Sequence, residues 1–156
     1  MENYKELYDV ACFLAKVAHK NQLDKAGKPY IGHLERVSGT FNEYTYKIIA
    51  ILHDSLEDTW ITEDLLRHLF PEKIVDAVVF LTRKENESYK EFIERMCYPT
   101  VEQAESAYMA REVKIADLTD NMNLGRLEKI TDKDIERVKK YNKWRTFLIE
   151  RQQIFF

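Results

Sequence analysis

Apolar residues recur along this chain at three- and four-residue intervals, with little of the strict alternation that a half-buried strand requires. Over residues 4–20, Leu7, Val10, Ala11, Leu14, Val17 and Ala18 form the inward stripe of an amphipathic helix that ends near His19. Gly27 and Pro29 break the pattern, so Asn21 to Pro29 reads as a loop, and a second helix follows from about Ile31 to Asn42. From Tyr46 to Glu57, the positions Ile48, Ile49, Ile51, Leu52 and Leu56 cover so wide an arc that a helix there must be buried on most sides. It is expected to be the central helix of a bundle.

Further along, Thr62 followed by Glu63 and Asp64 has the chemistry of an N-cap with acidic residues favourable to the helix dipole, opening a short helix to about Phe70. Pro71 suits the first turn of the next, whose Ile74, Val75, Val78, Val79 and Leu81 should point inward. Residues 88–97 read as another helix. Thr100 with Gln103 suggests a capping box for a long helix running to Asn121, and Thr131 with Asp134 marks the start of the last, which carries Trp144, Phe147, Leu148 and Ile149. The tail Ile154-Phe155-Phe156 is expected to be a packed terminus, with an interface as the alternative. No repeat or low-complexity linker interrupts the pattern, so an all-α helical bundle forming one domain over residues 1–156 is expected.

Composition narrows the function. The 156 residues contain only 4 glycines and 3 prolines, which favours helix throughout, and a chain of that length can bury a sizeable core. Cys12 and Cys97 stand far apart without metal-ligand spacing, so no disulfide or zinc knuckle is expected and a reducing cytoplasm is the natural home. No apolar run approaches the ~18 residues of a membrane span, and no secretory leader is evident at the N-terminus. A formal net charge of −3 argues against general nucleic-acid binding, while leaving room for a local basic cluster around one small anion.

The chemistry concentrates at His53-Asp54-Ser55-Leu56-Glu57-Asp58, where imidazole and carboxyl groups end an otherwise apolar helix. If the helix continues through them, His53 stacks under Glu57 and Asp54 under Asp58, giving two polar stripes facing one cleft. Such a dipeptide also arises by accident as the polar end of a core helix, so the other candidates carry weight. His33 follows Pro29-Tyr30-Ile31-Gly32, and Asp117 lies in the apolar run Val113-Lys114-Ile115-Ala116. A carboxylate there needs a cation, which a metal supplies, as would an ion pair with an interior lysine or arginine. His33, His53, Asp54 and Asp117 make a mixed nitrogen and oxygen set suited to manganese, iron or another first-row divalent ion. Two positions of an octahedral ion would remain for water and a phosphate oxygen, with Glu57 and Asp58 placed to take a proton from that water or orient it. His19 and His68 lack matching partners and are read as structural.

Three separated motifs then resemble one family. Ala18-His19, Gln22, Lys25, Gly27 and Pro29-Tyr30-Ile31 leading to His33 resemble the segment A-H-x-x-Q-x-R-K-x-G-x-P-Y-I-x-H of the HD-type hydrolase domain of RelA/SpoT homologues. Leu52-His53-Asp54 through Glu57-Asp58-Thr59 is similar to its L-H-D-x-x-E-D-T signature, and Lys114 to Asp117 with Asn121 and Met122 to its K-L-A-D-x-x-x-N-M helix. The resemblance covers roughly residues 7–148 and is closer to the family's small, stand-alone members. It implies an all-helical HD fold and manganese-dependent removal of the 3′-pyrophosphate from guanosine tetraphosphate. His33, His53, Asp54 and Asp117 would then be metal ligands, Glu57 and Asp58 the catalytic acidic pair, and Lys25 and Asn121 substrate contacts.

The departures fall on the substrate side. Asp24 stands where the family usually has an arginine, and an anion there is expected to repel a ligand with many phosphates. Asp120 replaces a histidine or tyrosine, and Leu118, Thr119 and Asn123 also differ. With no room for the family's synthetase domain in these residues, hydrolysis alone is expected. Two alternatives stay open: an HD phosphohydrolase of nucleoside monophosphates or other small phosphate esters, and a non-catalytic module that senses a nucleotide or binds a partner.

Overall fold

A computed structural model of the chain describes residues 2–154 and is helical in the order the apolar spacing predicts. Its elements are α1 (Tyr4–Ala18), α2 (Ile31–Gly39), α3 (Tyr44–Leu52), α4 (Ser55–Asp58), α5 (Glu63–Leu69), α6 (Glu72–Phe80), α7 (Tyr89–Arg95), α8 (Ala104–Asn121), a 3-10 turn (Leu124–Arg126) and α9 (Asp132–Ile154). Among the described residues there is no β-strand, and a lone bridge between Leu23 and Pro29 closes the loop before α2. Among the described residues no helix is long and apolar enough to cross a membrane.

α3 is the centre, as its wide apolar arc requires. Ile48, Ile49, Ala50, Ile51 and Leu52 are all fully buried, and α1, α2, α6 and α8 each pack against this helix. α1 turns most of the expected stripe inward, with Leu7 and Leu14 partly buried against the core, but not its two valines. Ala11, Ala15 and Ala18 are buried against the core while Val10 and Val17 stay exposed, because small side chains let α1 lie close to α3. α6 contributes Ile74, Val75 and Val78 as expected, and α9 lies along α8, docked by Leu148 and by Gln152, which accepts from the buried Arg111 guanidinium.

Several boundaries differ from the sequence pattern, each for a local reason. The run to Glu57 is not one helix: α3 stops at Leu52 and the chain turns at His53-Asp54 before the single turn of α4. Polar side chains take over the last carbonyls there, with His53 Nδ1 2.6 Å from the Ala50 carbonyl and Ser55 Oγ donating to the Leu52 carbonyl at 2.6 Å. The stacked stripes expected for residues 53–58 therefore do not form. α2 ends at Gly39, short of Asn42, where Thr40 Oγ1 bonds back to the Val37 carbonyl.

Thr62 caps α5 and Ser88 with Glu91 forms a full capping box on α7, whereas the box expected from Thr100 and Gln103 is absent. Residues 101–103 turn instead, and α8 starts at Ala104 without a side-chain cap. Thr131 and Asp134 do pair at the start of α9, through the Thr131 N–H and hydroxyl. Of the tail, Ile154 is exposed, and Phe155 and Phe156 lie outside the described residues.

Because Ile48 to Leu52 are enclosed on every side, a side chain shortened there leaves a cavity that its packed neighbours fill only in part. Ile49→Ala should cost about 2–5 kcal/mol of unfolding free energy in a denaturant titration; a cost under about 1 kcal/mol would show that α3 is not the centre.

Candidate metal centre and nucleotide cleft

The turn that ends α3 aims His53. A carbonyl only accepts, so the contact with Ala50 places a proton on Nδ1 and leaves Nε2 facing away from the backbone. His33 is the third residue of α2, brought in by a loop whose Gly27 takes a φ of +76° and whose Tyr30 N–H bonds the Gln22 carbonyl at 2.8 Å. Asp117 arrives from α8. All three are almost fully buried, at 2 to 4% exposure, and their ligand atoms lie within 4.8 Å of one another.

The contacts among them have a spacing that fits ligands sharing one ion as well as charged hydrogen bonds. Asp117 Oδ1 is 2.9 Å from His33 Nε2 and 3.3 Å from His53 Nε2. Neither buried nitrogen makes a hydrogen bond. Two atoms each ~2.1 Å from one ion at right angles would sit about 3 Å apart. The residues present therefore suit a divalent cation, and two unpartnered buried nitrogens are costly without one.

Asp54 adjoins this trio: its Oδ2 is 3.2 Å from His53 Nε2 and receives the Tyr30 hydroxyl. The ion-pair alternative for Asp117 is realised alongside, since Lys114 Nζ lies 2.7 Å from Oδ2 while Oδ1 faces the imidazoles and receives Asn121 Nδ2 at 3.0 Å.

Charge sets the protonation. Burial opposes the ionised form of Asp117, but Lys114 and the two histidines outweigh it and hold the carboxyl well below its usual range. Burial likewise pulls His33 down, yet Asp117 and Asp120 win and raise it to about 9. His53 is raised by Asp54 and Asp117 against its burial.

On α4, Glu57 accepts the Arg83 N–H and Asp58 offers its main-chain carbonyl to Gln22 Nε2 at 2.8 Å. Both carboxyls are raised, first by burial and then by Asp54, with Asp58 adding to Glu57. His19 Nδ1 rests 2.7 Å from Gln22 Oε1, and the exposed His68 pairs with the Asp64 carbonyl.

Beside His33 opens a cleft of about 340 Å³, edged by Lys25, Arg36, Arg126 and Arg137, with Tyr30, Asn121 and Tyr141 also lining it. Its cations favour an anionic ligand. Partial burial first, and then Arg137, lower the Lys25 pKa, against Asp134. Asp24 also borders the cleft, but its Oδ1 is engaged with the N–H groups of Ala26 and Lys28, both at 2.9 Å. That use within its own loop tempers the repulsion expected from an acid at this position.

Sequence reasoning gave no role to Tyr30, Lys114 or Asp120. Tyr30 and Lys114 sat inside recognised motifs, whereas Asp120 read only as a departure from one.

Comparison with known proteins accords with this geometry. The chain is 32% identical over 124 residues to a GTP pyrophosphokinase of Myxococcus xanthus, covering 70% of this chain and 16% of that protein. It is 34% identical over 90 residues to a probable guanosine-3′,5′-bis(diphosphate) 3′-pyrophosphohydrolase of Mycoplasma genitalium, 55% of this chain and 12% of the other. The bifunctional (p)ppGpp synthase/hydrolase SpoT of Escherichia coli K12 matches at 29% over 123 residues, 72% of this chain and 17% of SpoT. The chain is a homologue of the RelA/SpoT proteins.

It spans about a sixth or less of the length of these relatives. A solved structure of a metazoan SpoT orthologue, described as hydrolysing ppGpp, superposes with a TM-score of 0.70 at 22% identity, over 94% of this chain and 85% of that one. That likeness establishes the HD-type helical fold. No family model matches the chain.

The raised His33 pKa gives stability a pH dependence in metal-free protein. With a folded value of about 9 against 6.5 unperturbed, the contribution is fully present below pH 6.5 and is lost as pH rises through about 9. Thermal unfolding in chelator should therefore show Tm falling across that window, and a saturating divalent cation, which competes with the proton, should restore it. A flat profile in chelator would mean His33 holds no extra proton.

Proposed function

We propose that this chain is a metal-dependent nucleotide pyrophosphohydrolase that removes the 3′-pyrophosphate from guanosine 3′,5′-bis(diphosphate) or a close relative. The observation that carries the proposal is the pair of buried, unpartnered imidazole nitrogens meeting Asp117 beside a cationic cleft. The activities after which the Mycoplasma and Escherichia relatives are named support the substrate.

In this reading His33, His53, Asp54 and Asp117 hold one manganese ion. When bound, it would polarise a phosphate oxygen and make water more acidic. Water adds to the phosphorus attached to the 3′ oxygen, the P–O3′ bond breaks, the 3′ oxygen takes up a proton to become a hydroxyl, and pyrophosphate carrying the water oxygen is released with the nucleoside 5′-diphosphate. Glu57 and Asp58 accept or steer the proton of that water. Their raised pKa values make them stronger bases than ordinary surface carboxylates.

Tyr30 holds Asp54 in place, and Lys114 balances the negative charge of Asp117. Lys25 binds phosphate across the cleft, and Asn121, already tied to Asp117, orients the ligand beside the ion. The substrate is a small soluble nucleotide, and the free thiols of Cys12 and Cys97 suit a cytoplasmic setting.

Purified protein with manganese, assayed against guanosine and adenosine phosphates and pyrophosphates, should release pyrophosphate from the 3′-pyrophosphorylated nucleotide alone. Cleavage of monophosphates instead would mark a general phosphohydrolase, and no turnover with metal bound a sensing module.

Two variants separate binding from chemistry. Asp54→Ala should abolish metal binding, measured by elemental analysis after desalting. Glu57→Gln should keep the metal and lose kcat by about 10²–10⁴-fold. Equal metal content in wild type and Asp54→Ala would remove Asp54 from the ligand set.

A further inference from the structure

The two imidazoles at this centre are aimed by different devices. His53 is held by a main-chain carbonyl, which no side-chain substitution removes. His33 is held by Asp120, one turn beyond Asp117 on the same face of α8, whose Oδ2 lies 2.7 Å from His33 Nδ1. An ionised carboxylate only accepts, so the ring must carry its proton on Nδ1. That leaves Nε2, the atom without a hydrogen bond, toward Asp117 and His53.

Asp120 is itself fixed from two sides. Arg36 Nε donates to Oδ1 at 2.9 Å and Arg36 Nη2 to Oδ2 at 3.2 Å, tying Asp120 to the same helix that carries His33. Arg126, on the 3-10 turn after α8, reaches Oδ2 at 3.3 Å and the Asp120 carbonyl at 3.1 Å. Both guanidiniums also edge the cleft. A carboxylate so clamped has little rotational freedom, and neither does the imidazole it holds.

We infer that Asp120 is a positioning residue for the metal centre, orienting the His33 ring and keeping its Nε2 lone pair toward the cation. The inference rests on the metal-binding reading above and adds an outer carboxylate to it. Carboxylates behind metal-bound histidines raise ligand basicity and fix the tautomer, and their loss commonly weakens metal binding by about 10–100-fold. The acid at residue 120 thus has a structural use in this chain beyond being a departure from the family motif.

Calorimetric titration of metal-free protein with Mn²⁺, at one pH, provides the first test. Wild type should bind one ion per chain, Asp120→Ala should bind it about 10–100-fold more weakly with its helical content intact, and Asp120→Asn, which keeps one acceptor oxygen, should fall between. The second readout is the ¹⁵N signature of the histidine rings in Zn²⁺-loaded protein. In wild type the His33 Nδ1 proton should be protected from exchange, and in Asp120→Ala that protection should vanish while His53 keeps its own.

A merely structural Asp120 would lower Tm without changing the His33 ring signal. A folded Asp120→Ala protein with unchanged Mn²⁺ affinity and His33 signal would overturn the inference and leave the metal centre standing. Wild type that binds no ion would overturn both. Should the alanine variant not fold, Asp120→Asn carries the test, and unchanged affinity with an unchanged His33 signal there would defeat the inference.

Discussion

The molecule is organised around one buried carboxylate. Asp117 sits in a helix whose neighbours are apolar, and its ionised form persists because Lys114 takes one oxygen while two imidazoles face the other. Remove those partners and desolvation alone would drive a proton onto it. The demand for positive charge at this point constrains three helices at once: α8 carries the acid, α2 brings His33, and the end of α3 brings His53. A packed core that puts α3 against both α2 and α8 is what lets the three meet.

A break in regular structure is equally necessary. Had α3 continued through His53 and Asp54, these side chains would have left the helix roughly 100° apart. The turn at residues 53 and 54, held by His53 and Ser55 bonding back to carbonyls, brings Asp54 Oδ2 within 3.2 Å of His53 Nε2 and starts α4 in a new direction. Side chains that compete for backbone carbonyls thus end the helix and shape the site together. Tyr30 then reaches across from the loop before α2 to hold Asp54, so loop, turn and long helix share one polar network.

Electrostatics divide the site into two regions. Around Asp117 the charges are paired and buried, whereas the adjoining cleft is edged by Lys25 and by three arginines, of which Arg36 and Arg126 share Asp120 and Arg137 pairs with Asp134. Glu57 and Asp58 follow Asp54 with raised pKa values, on a short helix positioned by the Arg83 N–H and the Gln22 amide. A net charge of −3 over the whole chain conceals this local basic surface, since averages say nothing about which charges fold together.

Helix content, the buried centre at Ile48 to Leu52 and the caps at Thr62 and Thr131 were legible in the sequence, because periodicity and capping depend on neighbours a few residues apart. So was the candidacy of His33, His53, Asp54 and Asp117, since such residues beside apolar runs are costly without a partner. The sequence could not determine that α3 would stop at Leu52, that Ala15 rather than Val10 and Val17 would join the inward stripe of α1, or that Thr100 and Gln103 would cap nothing. Those outcomes follow from competition between local bonding and the space left by packed helices. Asp120 shows the difference most clearly. In sequence it is an acid out of place, and only the approach of α2 and the 3-10 turn, 84 and 6 residues away along the chain, surrounds it with His33, Arg36 and Arg126.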